Sequence, residues 1–353
     1  MTDQQPAGDH RLIDDLPVVI CVPARNEEQV LPALLDALAA LDRIRPPLTA
    51  CVYLDACTDG SEAMVRRACD HMPFALTVAT GGGRAASNAG LARRAALAMG
   101  LDHLAGAEGL LFTTDADSRP RRDWIAAGCA ALAQADVVAG RIVRRDGAVD
   151  GAQSRIERYY DRLHAHRRLI DPVPWEAHDS HHFSGGANLA MRSSVYRAIG
   201  GFRPLPFAED ATLLDDAARD GFRVRRDGAM IVETSSRRHG RAPAGLASAL
   251  RALDEGEAPR VAPPAAMAWQ WREHAAMRFG FALIADRDVR NRLGARLGLT
   301  GDHLLGVARD CRNAEAFAMR IVPAAAGVAD LVGLNEAEDA LTMLESEWCE
   351  AAA

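Results

Sequence analysis

Three short polar segments carry most of the chemistry legible in this sequence. Pro23-Ala24-Arg25-Asn26-Glu27 follows one apolar run, Asp55-Ala56-Cys57-Thr58-Asp59-Gly60-Ser61 follows a second, and Asp115-Ala116-Asp117 follows Leu110-Leu111-Phe112-Thr113-Thr114. In an extended segment, carboxylates at i and i+2 point the same way, and a hard divalent cation such as Mg²⁺ or Mn²⁺, which prefers oxygen ligands, relieves their repulsion. Such an ion keeps positions open for a diphosphate and offsets the charge that grows on it as a bond to it breaks. Taken singly, each segment reads equally as a turn with helix caps: Thr58 and Asp59 before one helix, Asp115 and Asp117 before Pro120 and another. The convergence of three of them at strand ends favours a site.

Short apolar runs alternating with longer stretches of helical period must position these segments. Candidate strands are 17–22, 49–54, 75–79, 109–114 and 136–143, with helices predicted over 27–41, 61–71, 85–100 and 121–133. Strands rich in Val, Ile and Leu without polar alternation predict a mostly parallel α/β sheet buried on both faces, and ligands of such sheets bind beyond the carboxyl ends of the strands. Past Asp146 the pattern predicts a helix over 153–169, a Pro- and His-rich loop over 171–184, structured chain over 185–239 including a strand at 230–233, a linker at 255–264, and a helical tail from about Pro263. The apolar run 321–334 reads as a core helix cut by Asp330.

Composition narrows the class. A net charge of −7 provides no basic face for nucleic acid. All of the basic side chains other than histidine are arginine, so a single arginine is a weak signal here. The seven cysteines, with no C-x-x-C pair, read as reduced thiols of a cytoplasmic protein. An acidic N-terminal stretch argues against a secretory signal, and no run of roughly 18 apolar residues predicts a spanning helix, which leaves peripheral membrane contact open. The loop histidines His178, His181 and His182 lack the spacing of a metal site and read as a lid or plain loop.

In order along the chain, P-x-x-N-E, D-x-x-x-D-G-S, D-x-D, Gly186-Ala187-Asn188, Gly200-Gly201-Phe202 and Glu209-Asp210 resemble the motifs of family-2 glycosyltransferases with the A-type fold, over roughly 17–239. The resemblance implies an α/β fold with a nucleotide-binding sheet, and transfer of a sugar from a nucleotide-diphosphate donor, UDP favoured, to an acceptor hydroxyl with inversion, supported by Mn²⁺ or Mg²⁺. It implies that Asp55 accepts from the base, that Pro23, Arg25 and Glu27 surround base and ribose, that Arg84 holds phosphate, that Asp115 meets ribose, and that Asp117 binds the metal. Glu209-Asp210 becomes the catalytic pair with Asp210 the base, Gly185, Gly186 and Asn188 line the acceptor side, His239 joins the metal, and Arg238 and Arg241 grip the diphosphate. Arg25 stands where many members have tyrosine, and Leu54 and Ala56 stand where Asp and Gly are frequent. The implied organisation is a polar tail at 1–16, a catalytic domain at 17–250 with donor (17–145) and acceptor (146–250) halves, and a helical extension at 251–353.

Alternatives are a retaining enzyme of the same fold, an inactive nucleotide-sugar-binding protein, and a sugar-phosphate nucleotidyltransferase. The last is disfavoured by the absence of lysine and of a Gly-rich opening loop. A dinucleotide dehydrogenase is excluded by the lack of G-x-G-x-x-G after the first strand.

Overall fold

The structure, a computed structural model, describes residues 13–42, 47–81, 88–145, 151–238 and 245–352. The first half alternates strand and helix: β1 (Val18–Ala24), α1 (Leu31–Ala39), β2 (Leu48–Asp55), α2 (Ser61–Ala68), β3 (Ala75–Gly81), α3 (Ala89–His103), β4 (Leu110–Thr113), β5 (Ser118–Pro120), α4 (Trp124–Leu132) and β6 (Val137–Arg144). There follow α5 (Ala152–Ile170), β7 (Leu189–Arg192), α6 (Ser193–Ala198), α7 (Glu209–Arg219) and β8 (Val224–Thr234). The remainder is mainly helical, with α8 (Leu246–Asp254), β9 (Arg260–Val261), α9 (Pro264–Gly280), α10 (Arg287–Leu297), α11 (Gly301–Arg309), α12 (Ala314–Ile321), β10 (Val332–Gly333) and α13 (Leu334–Ala352).

Strand alternation builds the two layers. In β1, Val18, Ile20, Val22 and Ala24 enter the core packed by α1, α2 and α4, while Val19 and Cys21 enter the opposite core packed by α3, α6 and α7. Phe112 of β4 meets Trp124 of α4 edge to face at 5.1 Å, a geometry favoured by the ring quadrupoles. Two further cores lie among α5, α9 and α13 and among α9 to α12.

The main sheet runs β3-β2-β1-β4-β7-β6-β8-β5. Its first half, β3-β2-β1-β4, is parallel as expected, and the whole sheet is mixed: β7 is antiparallel to both β4 and β6, and β5 is antiparallel to β8. Both strands are short polar-flanked segments without a period of their own, and only pairing fixes them. Because β7 reverses between two strands of one direction, the carboxyl ends of β1, β2, β4, β6 and β8 and the entry to β7 share one edge. The loop at Gly185–Asn188 is thereby brought beside the acidic segments. Helix α1 starts at Leu31 and not at Glu27, because the chain from Asn26 to Glu28 is tied to the second acidic segment. The run 321–334 is not a core helix. Chain 322–331 leaves α12 at Val322 before Pro323, turns at Gly327 (φ 77°), and ends in β10, which pairs with β9 inside the expected linker.

Candidate active site

A cleft of about 420 Å³ opens at that edge, lined in part by Pro23, Arg25, Glu27, Asp55, Asp115 and Asp117. All six are residues that the motifs single out. The first two polar segments are laced together: the Glu27 amide donates to Ser61 Oγ at 2.9 Å, the Thr58 amide to Asn26 Oδ1 at 2.7 Å, and the Glu28 amide to Asp59 Oδ2 at 3.1 Å. Two non-glycine residues there, Asn26 (φ 51°) and Ala56 (φ 49°), are left-handed. For alanine this conformation is strained. The Ala56 amide is held by Gly81 O at 2.7 Å. Ala56 thus adopts the turn for which glycine is the usual residue.

Two arginines that the sequence did not flag complete the floor. Arg93 of α3 is buried, and its guanidinium donates to Asp115 Oδ1 (2.9 Å), Thr113 Oγ1 (3.2 Å), Gly186 O (2.8 Å) and Glu209 Oε1 (3.4 Å). Burial alone would lower its pKa, but the fields of Asp115, Glu209 and Asp210 outweigh that and raise it. Arg237 forks onto Glu27 at 2.6 and 2.7 Å, and its Nε lies 3.1 Å from Asp117 Oδ2. Even so, the Asp117 carboxyl is pushed up to about 6, by burial first and then by Asp115. The only available signal for either arginine was position: Arg93 falls five residues after Asn88, whose side chain caps α3, and Arg237 stands three residues past the end of β8 at Thr234.

Glu209 and Asp210 open α7 after Ala208, which is also left-handed (φ 56°). Their surroundings differ. Glu209 is buried against Arg93, and burial is the main cause that raises its pKa. Asp210 accepts from the Gly186 amide at 2.8 Å through Oδ2 and from the Ala211 amide at 2.7 Å through Oδ1. Gly185 and Gly186 therefore border Glu209 and Asp210. Asn188, expected on the acceptor side, has its side chain turned into the protein. Asn188 is fully buried, accepts from Trp124 Nε1 (2.8 Å), and donates to Arg141 O (2.8 Å) and Met230 O (2.9 Å), bracing the loop from within.

Arg238 forks onto Asp254 at 2.6 and 3.0 Å and does not line the cleft, where Arg237 stands instead. Arg84, His239 and Arg241 lie outside the described residues. Among the described residues no group of three or more His, Cys, Asp or Glu is arranged to hold a metal unaided, and no helix is long and apolar enough to cross a membrane. His182 Nδ1 donates to Asp161 Oδ1 (2.8 Å), and His181 is fully buried, so these histidines are not gathered into one site.

Comparison with known proteins agrees with this geometry. Residues 19–198, more than half of the chain, match the family described as Glycosyl transferase family 2. No curated protein matches the chain. Among solved structures, residues 1–349 of S. aureus TarS in complex with UDP-GlcNAc superpose with a TM-score of 0.50 at 17% identity, covering 87% of this chain and 90% of that one. This likeness shows the fold. A mannosyltransferase from Pyrobaculum calidifontis, PcManGT, in complex with GDP-Man and Mn²⁺ gives a TM-score of 0.48 at 21% identity, over 94% and 85% of the two chains. From the acidic cleft at the sheet edge and the span of the family match, the chain belongs to glycosyl transferase family 2 and is a nucleotide-sugar glycosyltransferase.

Proposed function

We propose that the enzyme transfers a sugar from a UDP-sugar to an acceptor hydroxyl with inversion at the anomeric carbon, supported by Mn²⁺ or Mg²⁺. The observation that carries this reading is the convergence of Asp55, Asp115 and Asp117 on one cleft whose floor arginine, Arg93, also holds Glu209, the neighbour of Asp210.

In this reading Asp55, buried beside Arg25 at 3.9 Å, accepts from the imide N–H of the base. The Arg25 guanidinium stacks on the base, Pro23 and Glu27 border base and ribose, and Asp115, held by Arg93, accepts from the ribose. Asp117 fits a divalent ion, since a buried carboxylate raised by a neighbouring acid is short of positive charge. Asp117 would hold it, with further ligands from the diphosphate. When bound, the ion offsets the charge on the departing diphosphate. Arg237 is placed to follow that charge with its planar fork. Asp210, oriented by two backbone amides, takes the acceptor's hydroxyl proton as the oxygen bonds to the anomeric carbon and the bond to the diphosphate breaks. Arg84, Arg238 and Arg241 as phosphate contacts and His239 as a metal ligand remain part of the proposal.

The division into donor half (17–145), acceptor half (146–250) and extension (251–353) belongs to the same reading. So does a cytoplasmic setting, supported by seven free cysteines. Saturation-transfer NMR with UDP- and GDP-sugars, with Mn²⁺ and with EDTA, tests the donor and the ion, and the anomeric proton of the product tests the stereochemistry. We expect UDP-sugar binding that EDTA weakens, and an inverted product. Binding indifferent to EDTA rejects the ion, preferred GDP-sugar binding rejects the donor, and a retained anomer rejects single displacement.

A further inference from the structure

Away from the cleft, β8 packs against α7, and Arg226 of β8 lies in the fields of Arg167 and Arg168 of α5. Arg226 pairs in register with Ala139 near the start of β8, while Thr234 at the other end reaches the cleft, about 25 Å farther along an extended strand. In this seam four N–H groups are buried without a hydrogen-bond partner: Nε of Arg167, Nη2 of Arg168, Nε of Arg226 and Nε2 of His181. His181 is fully buried, and its Nδ1 accepts from the Phe183 amide at 3.1 Å. On the neutral ring Nε2 therefore carries the proton and is a donor. The ring is kept neutral because burial, Arg141 and Arg226 pull its pKa down to about 3.

The carboxylates nearby do not satisfy these groups. Glu176 accepts from the Arg226 backbone amide at 2.7 Å and stands 3.7 Å from Arg168 Nε. Asp215 acts on Arg226 and Arg167 through its field. Asp171 is engaged by Arg278 of α9 through Oδ1, and its Oδ2 is buried without a partner and makes no hydrogen bond to these donors. The guanidiniums oppose one another: burial, then Arg167, bring Arg226 down to about 10, so it is still charged at neutral pH. Clustered cations with orphaned donors are costly unless an acceptor of opposite charge completes them.

We propose that this seam binds a phosphate-type oxyanion, which accepts together from Arg167, Arg168, Arg226 and His181. A tetrahedral anion offers the acceptor oxygens that four donors from α5, β8 and the loop at His181 require, and guanidinium forks suit it. Arg167, Arg168 and Arg226 are half-buried, with 16% of the Arg168 side chain exposed, so the site is reachable from solvent. Arg167 also lies over Trp271 of α9 at 6.0 Å. The bound anion thus ties the C-terminal helices to the catalytic sheet.

The test is calorimetry and thermal melting of the full chain with inorganic phosphate and with glycerol 3-phosphate, against sodium chloride at matched ionic strength. Phosphate is expected to bind and to raise Tm. Arg226→Gln and Arg168→Gln should each weaken it about tenfold or more, the loss of a charge-assisted hydrogen bond, while UDP binding at the cleft persists. In phosphate-free buffer Arg226→Gln should melt at or above the parent, because it relieves repulsion. Equal affinity for the two probes assigns the site to the free ion, and tighter glycerol 3-phosphate assigns it to the phosphate of a larger molecule. Either supports an oxyanion site. No binding beyond the chloride control overturns the proposal, as does binding unchanged in both variants or a phosphate-free Arg226→Gln that melts well below the parent. If Arg226→Gln does not fold, Arg168→Gln carries the test.

Discussion

The backbone amide of Gly186 donates to Oδ2 of Asp210 at 2.8 Å, while the carbonyl of the same glycine accepts from Arg93. One residue of the loop at Gly185–Asn188 is therefore anchored on both sides, and its amide fixes the direction in which the Asp210 carboxylate points.

Asp210→Asn keeps the shape of the side chain and removes its ability to take a proton. Donor affinity should be almost unchanged while kcat falls about 10²–10⁴-fold, the usual contribution of a general base. Steady-state transfer assays paired with calorimetry of UDP binding check this. Near-normal kcat would move the base elsewhere.

Asp55→Ala removes a charged acceptor from the cleft, at the place proposed to hold the base. UDP should bind more weakly by about 1.5–3 kcal/mol whatever the sugar. Titration of UDP and of one UDP-sugar decides it, and equal affinity of variant and parent would reject the pocket assignment.

Arg93→Met strands Asp115 and Glu209 beside one another with their shared cation gone. Breaking a buried ion pair from one side costs about 3–5 kcal/mol. Urea denaturation should show a loss of that order. A loss below about 1 kcal/mol would mean that water already screens the cluster.

Asp117 has a raised pKa in the folded protein, about 6, so its protonated form is favoured by folding. The stability this gives is full below the unfolded value of about 4 and is lost as pH rises to about 6. Asp117→Asn, measured with EDTA present, should therefore be more stable than the parent at pH 8, by on the order of 2 kcal/mol, with the difference vanishing near pH 4. A gain that stays constant with pH would contradict the assignment.

Ala56 sits at φ 49° with its amide bonded to Gly81 O. Ala56→Gly relieves left-handed strain and should stabilise by up to ~1 kcal/mol, part of the relief being offset by the greater freedom of glycine when unfolded. Thermal melting checks this, and a clear loss of stability would show that the methyl group packs usefully.

Much of this protein was determined locally by its sequence. Apolar runs without polar alternation become β1, β2 and β4 because strands buried on both faces need no other pattern. The acids after them must then lie at one edge, since parallel strands end together. Asp55, Asp115 and Asp117 were legible for that reason, whereas the Glu209-Asp210 pair, which opens α7, stood out only through the order of motifs along the chain. Elements defined by long-range pairing were not. β7 and β5 have too few residues for a periodic signal and exist as strands because β4, β6 and β8 supply their partners. Arg93 looks like any arginine in a chain whose cations are all arginine, and only the packing of α3 against β1 and β2 lowers its guanidinium between Asp115 and Glu209. The same holds for Arg237 rather than Arg238 entering the cleft, because the direction of a side chain leaving a strand is set by what the strand is packed against. Local sequence fixes which residues can do chemistry, but a charge's partners are contributed from distant parts of the chain, and folding alone decides which cation meets which carboxylate.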